Sequence, residues 1–200
     1  SVDTETTLED PIHVRVHPVD EYDDSPCTVS WNSYPVVRIN VPALSESRSR
    51  IKERCIQPSG ESVGEWYEKA LAHEYLNIVL WDYGTDGTSY DYYGRNPSWF
   101  PEGISEYYVY RSTGYDRPID IDRLNETIRE GKGYFDSIAA DRYNGGHLLA
   151  MYLFDKYDPA AVWSILKDDA DTFATALNRS LDVSYPEFKR RWVAWADENI

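Results

Sequence analysis

The sequence predicts a mixed α+β domain with a small, mainly antiparallel sheet, and three observations carry that reading. Short runs in the first sixty residues alternate apolar and polar side chains, as half-buried strands do. The stretch from Glu61 to Tyr83 has the period of one long helix, and the chain from Pro97 onward is a succession of helical segments parted by turn residues. Two hundred residues suit a single domain with a substantial core. It divides into mainly strands (1–60), two site helices (61–112) and a helical lobe (113–200).

Ile12 to His17 alternates strictly, which puts His13 and His17 together on the face away from the core, as solvated residues. Glu21 to Pro26 reads as an acidic turn. Cys27 to Trp31 and Tyr34 to Val41 read as two further strands joined by a turn at Asn32-Ser33. Ser45 to Gly60 is a polar connection ended by Pro58-Ser59-Gly60.

The helix that follows carries the chemistry. At 100° per residue His73, Glu74 and Asn77 fall within its apolar arc, while Glu61, Glu65, Glu68 and Lys69 are expected on the opposite face. An imidazole, a carboxylate and an amide buried without partners cost several kcal/mol, roughly 2–7 for each neutral group, so something must compensate them. A metal ion is the obvious compensation. A second signal follows at Pro97-Ser98-Trp99-Phe100-Pro101-Glu102-Gly103-Ile104-Ser105-Glu106. Pro101 suits a first helical turn, with Ser98 upstream as a cap. Glu102 and Glu106 lie four apart on one face, and Gly103 lets another backbone approach closely.

These two elements resemble the gluzincin zinc metallopeptidases, in which His-Glu-x-x-His lies on one helix and a downstream Glu-Gly-x-x-Glu-Tyr pattern on the next. The likeness covers most of the chain, and the helix pair is its most specific part. It implies a zincin-like fold, a zinc cofactor and hydrolysis of a peptide or protein substrate. His73 would be the first ligand, Glu74 the general base, Glu102 the carboxylate ligand, and Glu106 the carboxylate that orients His73. Tyr143 would stabilise the oxyanion or, equally, pack between helices. Val36 to Val41 would be the edge strand that pairs with extended substrate, or an ordinary strand.

Asn77 stands where this motif has its second histidine. An amide oxygen is a poor zinc ligand beside imidazole. Three readings follow: another side chain, with His147 the candidate, completes the site; the site holds metal weakly or takes a harder cation; or the fold persists without the chemistry, as a pseudopeptidase that binds extracellular peptides or proteins. A further reading has Asn77, Glu74 and Glu102 simply hydrogen-bonding one another in a structural domain.

The loop Gly84 to Asn96, rich in glycine, aspartate and tyrosine, reads as a cleft wall and lacks the spacing of an EF-hand. A helix is expected near Leu124 to Glu130 and a long one over Asp141 to Tyr157. Others follow at Ala160 to Lys167, Thr172 to Leu177 and Tyr185 to Asn199. The last carries a packing stripe of Phe188, Trp192 and Trp195.

Thirty-five acidic residues against twenty basic give a formal charge of −15, spread along the chain. Such a field disfavours nucleic acid and anionic lipid, and resembles the carboxylate-rich surfaces of halophilic proteins. No apolar run is long enough to cross a bilayer, and the first residues carry no signal segment. Cys27 and Cys55 are either one disulfide, which points to an extracellular or cell-surface protein, or two buried thiols. Asn125-Glu126-Thr127 and Asn178-Arg179-Ser180 match the glycosylation pattern, a frequent coincidence.

Overall fold

A computed structural model describes residues 13–19, 29–33, 36–42, 63–85, 95–114 and 134–200. Three strands come first: β1 (His13–Val19), β2 (Val29–Ser33) and β3 (Val36–Pro42). Seven helices follow among the described residues: α1 (Val63–Thr85), α2 (Trp99–Thr113), α3 (Tyr134–Ala140), α4 (Asn144–Lys156), α5 (Pro159–Lys167), α6 (Phe173–Leu181) and α7 (Tyr185–Asn199). The candidate disulfide Cys27–Cys55, the 86–94 part of the loop and the helix expected near Leu124 lie outside the described residues.

The expected α+β class with a mainly antiparallel sheet is corrected by this architecture. The packed body is helical, and every residue of its core cluster lies on a helix or a connection between helices. The strands form a small accessory with mixed pairing, in the order β1-β3-β2. β1 runs parallel to β3, His13 opposite Val36, while β2 runs antiparallel to β3 with Trp31 opposite Val37. Alternation along a strand fixes which face is apolar but not which strand lies beside it, so the local pattern could not supply that order.

Because β3 is the central strand, both its edges are taken, and Val36 to Val41 cannot be the substrate-pairing edge. The turn expected at Asn32-Ser33 is displaced as well. Both residues belong to β2, which slips register between Trp31 and Ser33.

The core is built on aromatic residues that the helices bring from distant parts of the sequence. Trp99, 2% exposed, stacks on Phe188 at 6.2 Å and meets Phe135 and Phe173 edge-on. The stripe of α7 is buried as expected, with Phe188 and Trp192 fully so. Its first turn is set by Ser184, whose hydroxyl accepts from the Glu187 N–H, with Pro186 in the first turn.

Local capping decides two boundaries differently from expectation. Ser98 is helical and makes no side-chain cap; instead the Phe100 N–H donates to the Pro97 carbonyl at 2.9 Å. The long helix expected over Asp141 to Tyr157 is α4, which starts three residues later at Asn144 and is preceded by the separate short α3. The Asp141 carboxylate parts them by accepting from the Asn144 backbone N–H at 3.0 Å and its side-chain amide at 2.9 Å. Asp141 thereby places Tyr143 at the head of α4.

α2 and α4 cross without a side chain between them. A Cβ on Gly103 would fall inside the contact distance of the Gly146 carbonyl, and one on Gly146 would crowd the Trp99 carbonyl. This close approach brings Tyr143 and His147 to the same side of α2 as Glu102 and Glu106. At the other end of the body Arg95 donates to the Leu166 carbonyl at 2.7 Å and to those of Ile165 and Asp168. It caps the last turn of α5 and ties the approach to α2 against it.

Candidate functional site

α1 and α2 face each other through a column of polar side chains. Lys69, His73 and Asn77 come from α1 at successive turns, and Glu102, Ser105 and Glu106 from α2. Except for Glu106, which is partly buried, all are buried. Helical spacing explains the ladder, since residues four apart in a helix stack on one face. Lys69 therefore belongs with His73 rather than on the outer face expected for it. It is 7% exposed, its ammonium 4.9 Å from the centre of the Tyr110 ring.

His73 is held between two carboxylates. Its Nε2 is 2.9 Å from Glu102 Oε2 in a hydrogen bond. Its Nδ1 is 2.9 Å from Glu106 Oε1, an ion-pair distance outside direct hydrogen-bond geometry. Burial alone would lower the imidazole pKa, but the two carboxylates outweigh it and raise the pKa from 6.5 to about 10. At neutral pH the group is an imidazolium bridging two glutamates. Asn77 is satisfied separately, since the Ser105 hydroxyl donates to its Oδ1 at 2.6 Å.

Tyr143, just ahead of α4, places its ring 5.9 Å from that of His73. It is 38% exposed, and the Arg142 guanidinium lies 4.7 Å from its ring centre. Burial pushes its hydroxyl pKa up, and the charges of Glu102 and Glu74 push it further, against Arg142. The hydroxyl thus keeps its proton near neutrality and is a donor. Glu74 is partly buried on the next position of α1, close enough for its charge to reach Tyr143. His147, the alternative ligand, packs instead against Tyr110 and Tyr107, at 5.5 and 6.4 Å between ring centres. Its neighbours are on the turn of α2 beyond Glu106.

The residue set does not suit a catalytic zinc ion. Such sites use three protein ligands with an open fourth position. Here one imidazole nitrogen and one carboxylate oxygen face each other, the third position is an amide oxygen already accepting a hydrogen bond, and Glu106 lies on the other imidazole nitrogen. Among the described residues no group of three or more His, Cys, Asp or Glu side chains is arranged to hold a metal.

The structure thus brings together His73, Asn77, Glu102, Glu106 and Tyr143, with Glu74 beside them, and leaves His147 one turn away. Sequence reasoning missed Lys69, Ser105 and Arg142. The four-residue spacing of Lys69 from His73 was a readable signal, as was the three-residue spacing of Ser105 from Glu102. No family model, no curated protein and no solved structure matches the chain. No described helix is long and apolar enough to cross a membrane.

Proposed function

We propose that this chain is a non-catalytic peptide- or protein-binding module, a site-altered relative of the gluzincin peptidases whose zinc position is filled by its own charges. The observation that carries the reading is the bridged imidazolium. His73 engages Glu102 and Glu106 with its two nitrogens, while Ser105 occupies the oxygen of Asn77. Each donor that zinc would need already has a partner, so binding zinc requires breaking a buried ion pair and removing a proton from His73.

Two features support binding of an extended chain. β2 packs beside α1 and, among the described residues, pairs only with β3, so its other edge is the place where strand addition would occur. At the mouth of the site, Tyr143 and Arg142 offer an aromatic face and hydrogen-bond donors.

One observation favours a second reading, an active zinc peptidase. Glu74 and Glu102 both act electrostatically on the Tyr143 hydroxyl, so the groups that peptide hydrolysis would use converge. Elemental analysis together with peptide turnover decides between the two, on the chain as it is and on Asn77→His. The binding reading expects far less than one zinc per chain and no hydrolysis in the unaltered protein. One zinc per chain, with hydrolysis abolished by Glu74→Gln, would overturn it.

A further inference from the structure

A second surface, at the far end of α4 from Tyr143, has the make-up of a ligand groove. Two open cavities of about 430 and 380 Å³ adjoin there, and Trp195 of α7 lines both. Its lining residues on α4 begin at Met151, about 12 Å of helix beyond Tyr143, and none of the groove's lining residues is His73, Asn77, Glu102, Glu106 or Tyr143.

Its walls are aromatic. Tyr107 stacks on Phe154 at 4.7 Å with 19° between the rings, and Tyr152 meets Tyr157 edge-on at 5.9 Å. Trp195 is held in place by its indole N–H, which donates to Asp155 at 3.0 Å. The rim carries more cations than carboxylates, with Arg111 and Asp155 on one cavity and Lys156, Arg190, Arg191 and Glu198 on the other.

These charges are pre-set rather than loose. Glu187 accepts both prongs of Arg190 at 2.7 Å and only the Nε–H of Arg191 at 2.8 Å. Arg111 donates to the Tyr107 hydroxyl at 2.8 Å, which fixes its guanidinium over the groove wall. Asp155, which lines the Arg111 cavity, is already engaged by Lys156 at 2.8 Å and by Trp195. Four of the twenty basic residues thus surround one aromatic groove on a chain of net charge −15. A negatively charged segment is repelled by most of this surface and steered to this part of it.

We infer that the groove beside Trp195 docks an acidic peptide segment carrying an aromatic anchor, supplied by a partner protein. The aromatic ring fills a cavity against Trp195, and flanking carboxylates meet Arg111 on one side and the Lys156, Arg190 and Arg191 cluster on the other. Electrostatic steering makes the affinity fall with salt, and loss of the rim cations removes the preference for acidic flanks.

The test is calorimetric titration with the blocked peptide Glu-Asp-Phe-Asp-Glu and with its Gln-Asn-Phe-Asn-Gln analogue. The Trp195 indole N–H resonance, assigned with Trp195→Phe, is followed in parallel. Saturable binding that shifts this resonance, weakens at least tenfold for the uncharged analogue and in Arg111→Glu/Lys156→Glu, and persists in Glu74→Gln is expected. Both altered cations are at the surface, and circular dichroism confirms that the double variant keeps its fold. The proposal is overturned by absence of saturable binding at millimolar peptide, by equal binding of the uncharged analogue, or by an unchanged affinity in the double variant.

Discussion

The Ser105 hydroxyl donates to the amide oxygen of Asn77 at 2.6 Å, across the interface of α1 and α2, with both residues buried. The bond gives Asn77 a role that needs no metal. Where a second histidine would turn a nitrogen toward a zinc ion, the shorter amide turns an oxygen toward a serine on the facing helix.

Removing that serine hydroxyl therefore has a specific cost. In Ser105→Ala the Asn77 oxygen is left buried without its donor, which destabilises by about 1–3 kcal/mol. Asn77→Leu in the Ser105→Ala background removes the orphaned acceptor too, so the double variant costs less than the sum of the singles. A urea-denaturation cycle over the four proteins measures the coupling, and strict additivity would show that the pair does not interact.

His73 makes the stability depend on pH in a direction that can be worked out. Its pKa is raised from 6.5 in the unfolded chain to about 10 in the folded one, so the folded state holds its proton more tightly. That contribution is complete below pH 6.5 and is lost as pH rises toward 10. Unfolding free energy at constant ionic strength should decline across this window, and in His73→Gln the decline should be absent. A His73 proton resonance that titrates near pH 6.5 would contradict the bridged imidazolium.

The same variant tests what the imidazolium does for its neighbours. His73→Gln leaves the buried Glu102 and the partly buried Glu106 without the cation between them, and breaking a buried ion pair in this way costs about 3–5 kcal/mol. Urea denaturation at pH 7 measures the loss, and a cost no larger than the ~1 kcal/mol of an exposed ion pair would show that the imidazolium does not hold the two carboxylates.

How far the sequence was legible depends on how local each signal is. α1 and α7 lie within two residues of their expected spans because a single period runs through each. The site residues His73, Glu74, Asn77, Glu102 and Glu106 stood out because polar groups interrupted apolar faces at helical spacing. The seven-residue α3 offered too short a pattern to be seen, and Asp141, whose side chain caps the turn ahead of α4, looked like the first residue of that helix. The order of the strands was not in the alternation at all. Nor was the Ser105–Asn77 bond, since it requires knowing how α1 and α2 align, and that alignment is set by the close crossing of α2 with α4.

That crossing carries the last prediction. Gly103 and Gly146 bring the α2 and α4 backbones together, and an added Cβ at Gly103 would collide with the Gly146 carbonyl, which is main chain and cannot rotate aside. Gly103→Ala must push the helices apart, at a cost of about 1–3 kcal/mol. Gly103 follows Glu102 directly, so the shift also moves Glu102 relative to His73 and loosens their 2.9 Å hydrogen bond. The variant should therefore unfold at lower urea and bring the His73 pKa down from about 10 toward 6.5, two readouts of one displacement. Gly114→Ala, at φ 70° with open space around it, strains only the end of α2 and should lower stability without moving the His73 titration. If the two variants shift that titration equally, the α2–α4 crossing does not set the geometry of the site.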